Sequence, residues 1–454
     1  MFVFSKDSPQ RRIVARLAAL LCTVALIPIP VRAQDVYTDI EPAPLTMPGE
    51  PTVEIAQNDA PLPVAAEDAP PTVEVSGDGT GVSSSPKRFH YALRLNVRSV
   101  YDDNIFLTHS NRKDGVYFAI EPGITLGFGD IVGRQENYIR FDYAPSVFLF
   151  TNDSDANALQ QLFRIEGQYR IARLAISLSQ DIQILQGANL NATSSTSPGT
   201  PAINLDAGGQ TSVNVYSTHL NLAYDLTGKT SLSGGVLFDA HQYEDLISSE
   251  SISGNLFVNF NYSPKLLIGF GGHVGYNWVS DDSPNQTFEQ VNARVNYQAT
   301  GKLNLSASGG VEFRQFDGAR GGYTAPVYDV GLTYQPFDST NVTLRGSSRT
   351  QNSAVFLAQD FSATSITAGI TQRFFQRVYV GVSAGYENDE YFGTEKGISA
   401  PRSDNYFFVQ PAVDVTVTRF LSAGVYYLHR NNDSSVPSFG FYDNQVGLRA
   451  SLTF

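Results

Sequence analysis

The chain has one cysteine, two methionines and one tryptophan in 454 residues. Cys22 falls inside an amino-terminal apolar run, so the rest of the chain has no thiol to pair, bind a metal or act as a nucleophile. Leu21 stands where a lipoprotein leader needs a small residue, which argues against lipidation at Cys22. Beyond that run, no apolar stretch is long enough to cross a bilayer as a helix. Six histidines (His90, His109, His219, His241, His273, His429) show no metal-ligand spacing, and neither a nucleophile elbow nor a phosphate loop is present. No enzyme activity, metal or cofactor is expected. Asp153, Asp155 and Asn157 imitate the start of a calcium loop, but Ala158 replaces the glycine and Arg164 the bidentate glutamate. Asp102-Asp103 and Asp281-Asp282 read as solvated loop pairs that would at most attract divalent ions. There is no basic face for nucleic acid, and the formal net charge is -13.

The amino terminus reads as a secretory leader over residues 1–33. Lys6, Arg11, Arg12 and Arg16 precede the apolar run 17–29, and Val31-Arg32-Ala33 fits small-x-small cleavage. An uncleaved anchor helix is the alternative. Residues 34–87 form an acidic, Pro- and Ala-rich segment with ten acidic side chains and no basic one over 35–86. Such a composition cannot bury enough apolar surface to offset its ordering entropy. It is expected to be a disordered periplasmic tether. A short echo, Pro51-Thr52-Val53-Glu54 and Pro71-Thr72-Val73-Glu74, is either spacer or a repeated docking motif.

What the chain does have is 23 tyrosines, 29 phenylalanines and 38 glycines, a mix that favours strands and turns. From about His90 apolar and polar side chains alternate. Tyr91, Leu93, Leu95 and Val97 alternate with His90, Arg94, Asn96 and Arg98. Leu220, Leu222 and Tyr224 alternate with His219, Asn221 and Asp225, and Val258, Phe260 and Tyr262 with Asn259 and Asn261. Val295 and Tyr297 alternate with Arg294, Asn296 and Gln298, and Val330 and Leu332 flank the face that holds Asp329. Leu448, Ala450, Leu452 and Phe454 end the chain opposite Arg449. Period-two alternation is the mark of a strand with one apolar face. Short turns near Ile131, Ile171, 227–229, 263–265, 300–302, 336–338, 375–376 and 418–419 separate longer polar loops near 101–113, 151–157, 187–209, 246–250, 281–286, 318–324, 354–359, 391–402 and 432–440. Nine loops and eight turns imply eighteen strands. A soluble sandwich needs far fewer. The expected fold is all-β, a transmembrane antiparallel up-and-down β-barrel over residues 88–454 in a Gram-negative outer membrane.

In that barrel the apolar face meets lipid and the polar face meets water. Arg94, Arg98, Arg140, Asp142, His219, Asn221, Asp225, Asn259, Arg294, Asn296, Asp329, Asp414 and Arg449 are the expected pore-lining residues. Tyr143, Tyr224, Tyr262, Tyr297 and Tyr334 are expected to form a girdle near the short turns, which would place those turns in the periplasm. A mixed lining suits hydrophilic solutes, sugars included, without strong ion selectivity; a plain wetted wall is the alternative. The third and longest loop, 187–209, would turn into the lumen by fold-level analogy with porins. Leu452 and Phe454 match the terminal hydrophobic positions of the signal read by the barrel-assembly machinery, although Arg449 stands at the usual glycine position.

Tyr101-Asp102-Asp103-Asn104-Ile105-Phe106, Glu121-Pro122-Gly123 and the stretch from Asn137 to Tyr143 together resemble the putative β-barrel porin 2 family. The resemblance covers roughly residues 90–454. The family includes barrels of the EpsL type, encoded with exopolysaccharide systems. It therefore implies, as an alternative to a passive channel, an export component working with periplasmic polysaccharide-export proteins. A plugged structural or adhesive barrel is a third reading. The remaining expected partners are outer-membrane lipid and lipopolysaccharide.

Overall fold

A computed structural model describes residues 89–129, 137–188, 204–208, 210–318 and 321–454. The leader, the acidic tether, the turn near Ile131 and most of loop 187–209 lie outside these residues. The described residues contain eighteen strands: β1 (Phe89–Asp102), β2 (Gly115–Gly129), β3 (Tyr138–Phe150), β4 (Ala158–Ile171), β5 (Leu174–Ala188), β6 (Gln210–Asp225), β7 (Thr230–Tyr243), β8 (Ser249–Ser263), β9 (Leu266–Val279), β10 (Gln286–Thr300), β11 (Leu303–Phe316), β12 (Tyr323–Tyr334), β13 (Thr340–Asn352), β14 (Gln359–Phe374), β15 (Val378–Gly393), β16 (Ser403–Thr416), β17 (Leu421–Ser434) and β18 (Phe441–Thr453). Each pairs antiparallel with its sequence neighbour, and β1 pairs with β18, so the sheet closes into one barrel. Closure removes the edges that an open sheet of this size would expose.

Strand connections differ at the two ends. One end has tight links such as 172–173, 264–265 and 301–302; the other has longer ones such as 103–114, 189–209 and 394–402. The expected alternation of short turns and long loops is the one found. Phe375 and Gln376 turn the chain between β14 and β15 with φ of 48° and 63°, the left-handed region that a tight hairpin demands.

Register fixes what each face carries. Phe270, Val291 and Leu256 are 67%, 68% and 57% exposed on the outside, next to Gly271, Asn292 and Asn255 on the inside. A soluble protein would cover such a belt of large apolar side chains. Hydrocarbon satisfies it, and a closed barrel leaves no backbone polar group unpaired there. No described helix is long and apolar enough to cross a membrane; the crossing is made by strands.

The other face is identified as the inside by bonds that skip strands, which only a concave surface allows. Arg294 on β10 donates from Nη2 to Ser233 Oγ on β7 at 2.7 Å. Gln286 on β10 donates to Asp360 on β14 at 2.9 Å.

Candidate functional site

All thirteen expected lining residues lie on this inward register. Several of them are not open to water. Arg98, Asp142, Asn259, Arg294 and Asp414 are buried, and polar partners replace the water that burial removes. Arg98 Nη2 lies 2.5 Å from Glu121 Oε1. Arg140 donates to Asp142 at 2.9 Å, and Thr125 donates to the same carboxylate at 2.5 Å. Arg294 Nε and Nη2 reach Asn259 Oδ1 at 2.9 and 2.6 Å. Gly269 makes that possible, because a Cβ there would sit 2.6 Å from Asn259 Oδ1 and 2.9 Å from Arg294 Cγ. Arg449 Nε bonds Asp414 Oδ1 at 2.7 Å across β17. Asp329 meets Arg345 at 2.8 Å, His219 meets Ser217 at 2.7 Å, and Asp225, at the turn end of β6, lies 3.9 Å from Arg170. Arg94 packs beneath Gly123, and Asn221 and Asn296 complete the polar face.

The tyrosines also separate. Tyr224, Tyr262, Tyr297 and Tyr334 are exposed on the outer face within three residues of their strand ends at the turn side. Tyr143 departs from that row: it lies well inside β3 and stacks on Phe163 at 4.4 Å. Leu452 pairs with Leu95 and Leu421, and Phe454 stacks on Phe420 at 6.2 Å.

At the loop end, side chains from the loops pack against the inner wall. Asp102 closes β1 and is buried, in contrast to a solvated pair; its Oδ1 accepts from Asn104 N at 2.7 Å and its Oδ2 from Gln445 at 2.9 Å. Asn104, fully buried, donates to the carbonyls of Thr108 and Tyr442, each at 2.9 Å. This turns Ile105 and Leu107 inward onto an apolar cluster with Tyr117, Phe148, Phe408, Tyr426 and Phe441. Leu205, from the third long loop, joins the same cluster. Asp102, Asp103 and Asp443 place carboxylate oxygens within 4.8 Å of one another, and Arg430 lies 2.5 Å from Asp443.

Asp206 follows Leu205 and crosses to the far wall. Its Oδ1 accepts from Ser353 Oγ at 3.0 Å and Tyr391 Oη at 2.9 Å, and its Oδ2 from Ala354 N at 2.5 Å. Arg402 completes the set, with Nη1 3.4 Å from Oδ1 and Nη2 2.7 Å from the Leu205 carbonyl. The Arg402 side chain is 1% exposed; its guanidinium lies 3.7 Å from the Phe439 ring centre and bonds Asp404 at 2.6 Å. Tyr391 is on β15, nine strands from β6 in a ring of eighteen. Residues 204–208 therefore bridge opposite sides of the barrel. Burial pushes the Asp206 carboxyl above its ordinary range, while Arg402, Ala354 N, Tyr391 and Ser353 oppose that shift.

Beside the bridge is a cavity of about 160 Å³ lined by Asn204, Asp206, His241, Asn277, Arg349 and Phe361, among others. Arg314 in its wall is committed to Glu312 at 2.8 Å and Gln286 at 2.6 Å. Among the described residues, the buried Nε of Arg349 and Oγ1 of Thr350 meet no hydrogen-bond partner. Asp206, Arg402 and Arg349 were not legible as site residues in the sequence. Arg349 stands on an alternating strand, which marks only its face, and the other two meet through loops.

No curated protein matches the chain in sequence. Among solved structures, Pseudomonas aeruginosa OpdK with vanillate is 12% identical, with 80% of this chain and 98% of that chain covered and a TM-score of 0.38. Acinetobacter baumannii OccAB4 is 10% identical, with coverage of 82% and 100% and a TM-score of 0.40. Acinetobacter baumannii OccAB3 is 11% identical, with coverage of 80% and 99% and a TM-score of 0.41. The apolar belt, the closed antiparallel sheet and the paired polar interior make this a porin-like β-barrel, and its residues 282–454, from the loop before β10 to the last residue, match the family model described as putative beta-barrel porin 2.

Proposed function

We propose that the barrel passes small hydrophilic solutes across the outer membrane through a lumen narrowed by its own loops, with the short turns in the periplasm. The observation that carries this reading is the cavity beside the Asp206 bridge, where Arg349 Nε and Thr350 Oγ1 have no hydrogen-bond partner among the described residues. A buried polar atom without a partner costs about 1–3 kcal/mol, and a passing solute's hydroxyl or carbonyl groups would offset that cost. The apolar cluster at the loop end disfavours a wide, unselective pore. Planar-bilayer recordings of the purified chain test the proposal. Small discrete conductance steps that shift in Arg349→Gln are expected, and an electrically silent bilayer would refute it.

A second reading, export of exopolysaccharide with a periplasmic partner, is favoured by one observation: β1 begins at the turn end, so the acidic segment 34–87 joins the barrel on the side we assign to the periplasm. Deleting residues 35–86 separates the two. Loss of surface polysaccharide with unchanged conductance supports export; unchanged polysaccharide removes that reading.

A further inference from the structure

The connections at the two ends of the barrel carry opposite net charge among the described residues. Among the described residues, the connections at the loop end hold eleven acidic and four basic side chains. Those at the turn end hold six basic side chains and one acidic. The six are Arg173, Lys229, Lys265, Lys302, Arg377 and Arg419, one on each of six hairpins and all exposed. The lone acid, Asp338, lies 3.9 Å from Lys302. Lys265 Nζ donates to the Ala299 carbonyl and Lys302 Nζ to that of Pro336, each at 3.2 Å. These two ammonium groups thus reach sideways to the neighbouring hairpin. This ring stands out in a chain whose formal net charge is -13.

Its position relative to the belt indicates what it meets. Tyr262 precedes Lys265 by three residues, and Tyr224 and Tyr297 precede Lys229 and Lys302 by five. Going down the wall, apolar side chains give way to exposed tyrosine and then to a cation. Aromatic rings settle where acyl chains meet headgroups, so the cations stand at the depth of lipid phosphate. We infer that the turn rim binds the phosphates of anionic phospholipids in the leaflet it faces, holding a selected lipid annulus around that end of the barrel. Each basic group near an anionic membrane surface favours association by about fivefold, and salt screens the effect.

The full chain, reconstituted in phosphatidylcholine vesicles with trace spin-labelled phosphatidylglycerol or phosphatidylcholine, provides the test. Electron paramagnetic resonance reads the motionally restricted fraction of each label. Several-fold enrichment of phosphatidylglycerol is expected, falling as salt rises and reduced in the Lys265→Gln/Lys302→Gln/Arg419→Gln variant. Equal restriction of the two lipids would overturn the inference, as would an enrichment that the triple substitution leaves unchanged. Should that variant not insert, the salt series on the unsubstituted chain decides, and a preference independent of salt counts against the rim. Conductance plays no part in this readout, so the outcome is separate from that of the channel reading.

Discussion

Arg402 grips the third long loop from the opposite wall, its Nη2 2.7 Å from the carbonyl of Leu205 and its Nη1 3.4 Å from Asp206 Oδ1. The two sites are 196 residues apart in sequence. Both side chains are buried, so the pair cannot fall back on water. Removing one partner of such a pair strands the other charge.

Arg402→Met is therefore expected to undock residues 204–208 at a cost of about 3–5 kcal/mol to the bridge, while the strands stay paired. Channel recordings should show larger conductance, and circular dichroism should show an unchanged sheet. Wild-type conductance in this variant would mean that the bridge does not obstruct the path.

The bridge should also respond to pH. The docked Asp206 holds its proton to a higher pH than a free aspartate, whose ordinary value is about 3.9. Docking is then strongest below that value and weakens as pH rises through the raised one. Conductance should increase over that interval, and Asp206→Asn, which keeps the shape without the charge, should flatten the profile. A profile identical in both proteins would exclude Asp206 as the titrating group.

The chain announced its fold because a barrel wall is a local pattern. Tyr91, Leu93 and Val97 against Arg94 and Arg98 is a period-two signal within one strand, and the inward placement of Arg294 or Asp414 follows from it. Contacts across the lumen have no such signal. Asp206 sits in a long Ser-, Thr- and Gly-rich loop, and nothing local says that it meets Tyr391. Asp102 shows the same limit: two adjacent loop acids normally face water, and its burial rests on Asn104 N, two residues on, together with Gln445, 343 residues later.

Within the wall, Arg98 and Glu121 form a buried pair. Arg98→Met should destabilise the barrel by about 3–5 kcal/mol, whereas Arg98→Met combined with Glu121→Leu should recover most of that loss. Unfolding in urea, followed by gel mobility of unboiled samples, measures both. A loss in the double variant equal to the sum of the two single-variant losses would show that the two side chains act independently.

Gly424 lies between Asp414 and Arg449 on the inner face. A Cβ there would fall 2.0 Å from Asp414 Oδ1 and 2.8 Å from the Val413 carbonyl. Gly424→Ala is expected to cost about 1–3 kcal/mol through overpacking and to displace that ion pair, whereas alanine at Gly301, which has open space around it, should cost less. The same urea titration compares them, and equal midpoints would remove the steric argument.

The final residue bonds to the first strand: Leu93 N donates to the Phe454 carbonyl at 3.0 Å and Phe454 N to that of Leu93 at 2.9 Å. The cylinder thus cannot be sealed before β18 is in place, since its first staves must wait for its last. That late join spans nearly the whole barrel sequence and bears the largest loop-closure entropy of any strand pair. Until β18 arrives, β1 keeps an unmatched edge, the kind of exposed strand that invites pairing with another chain.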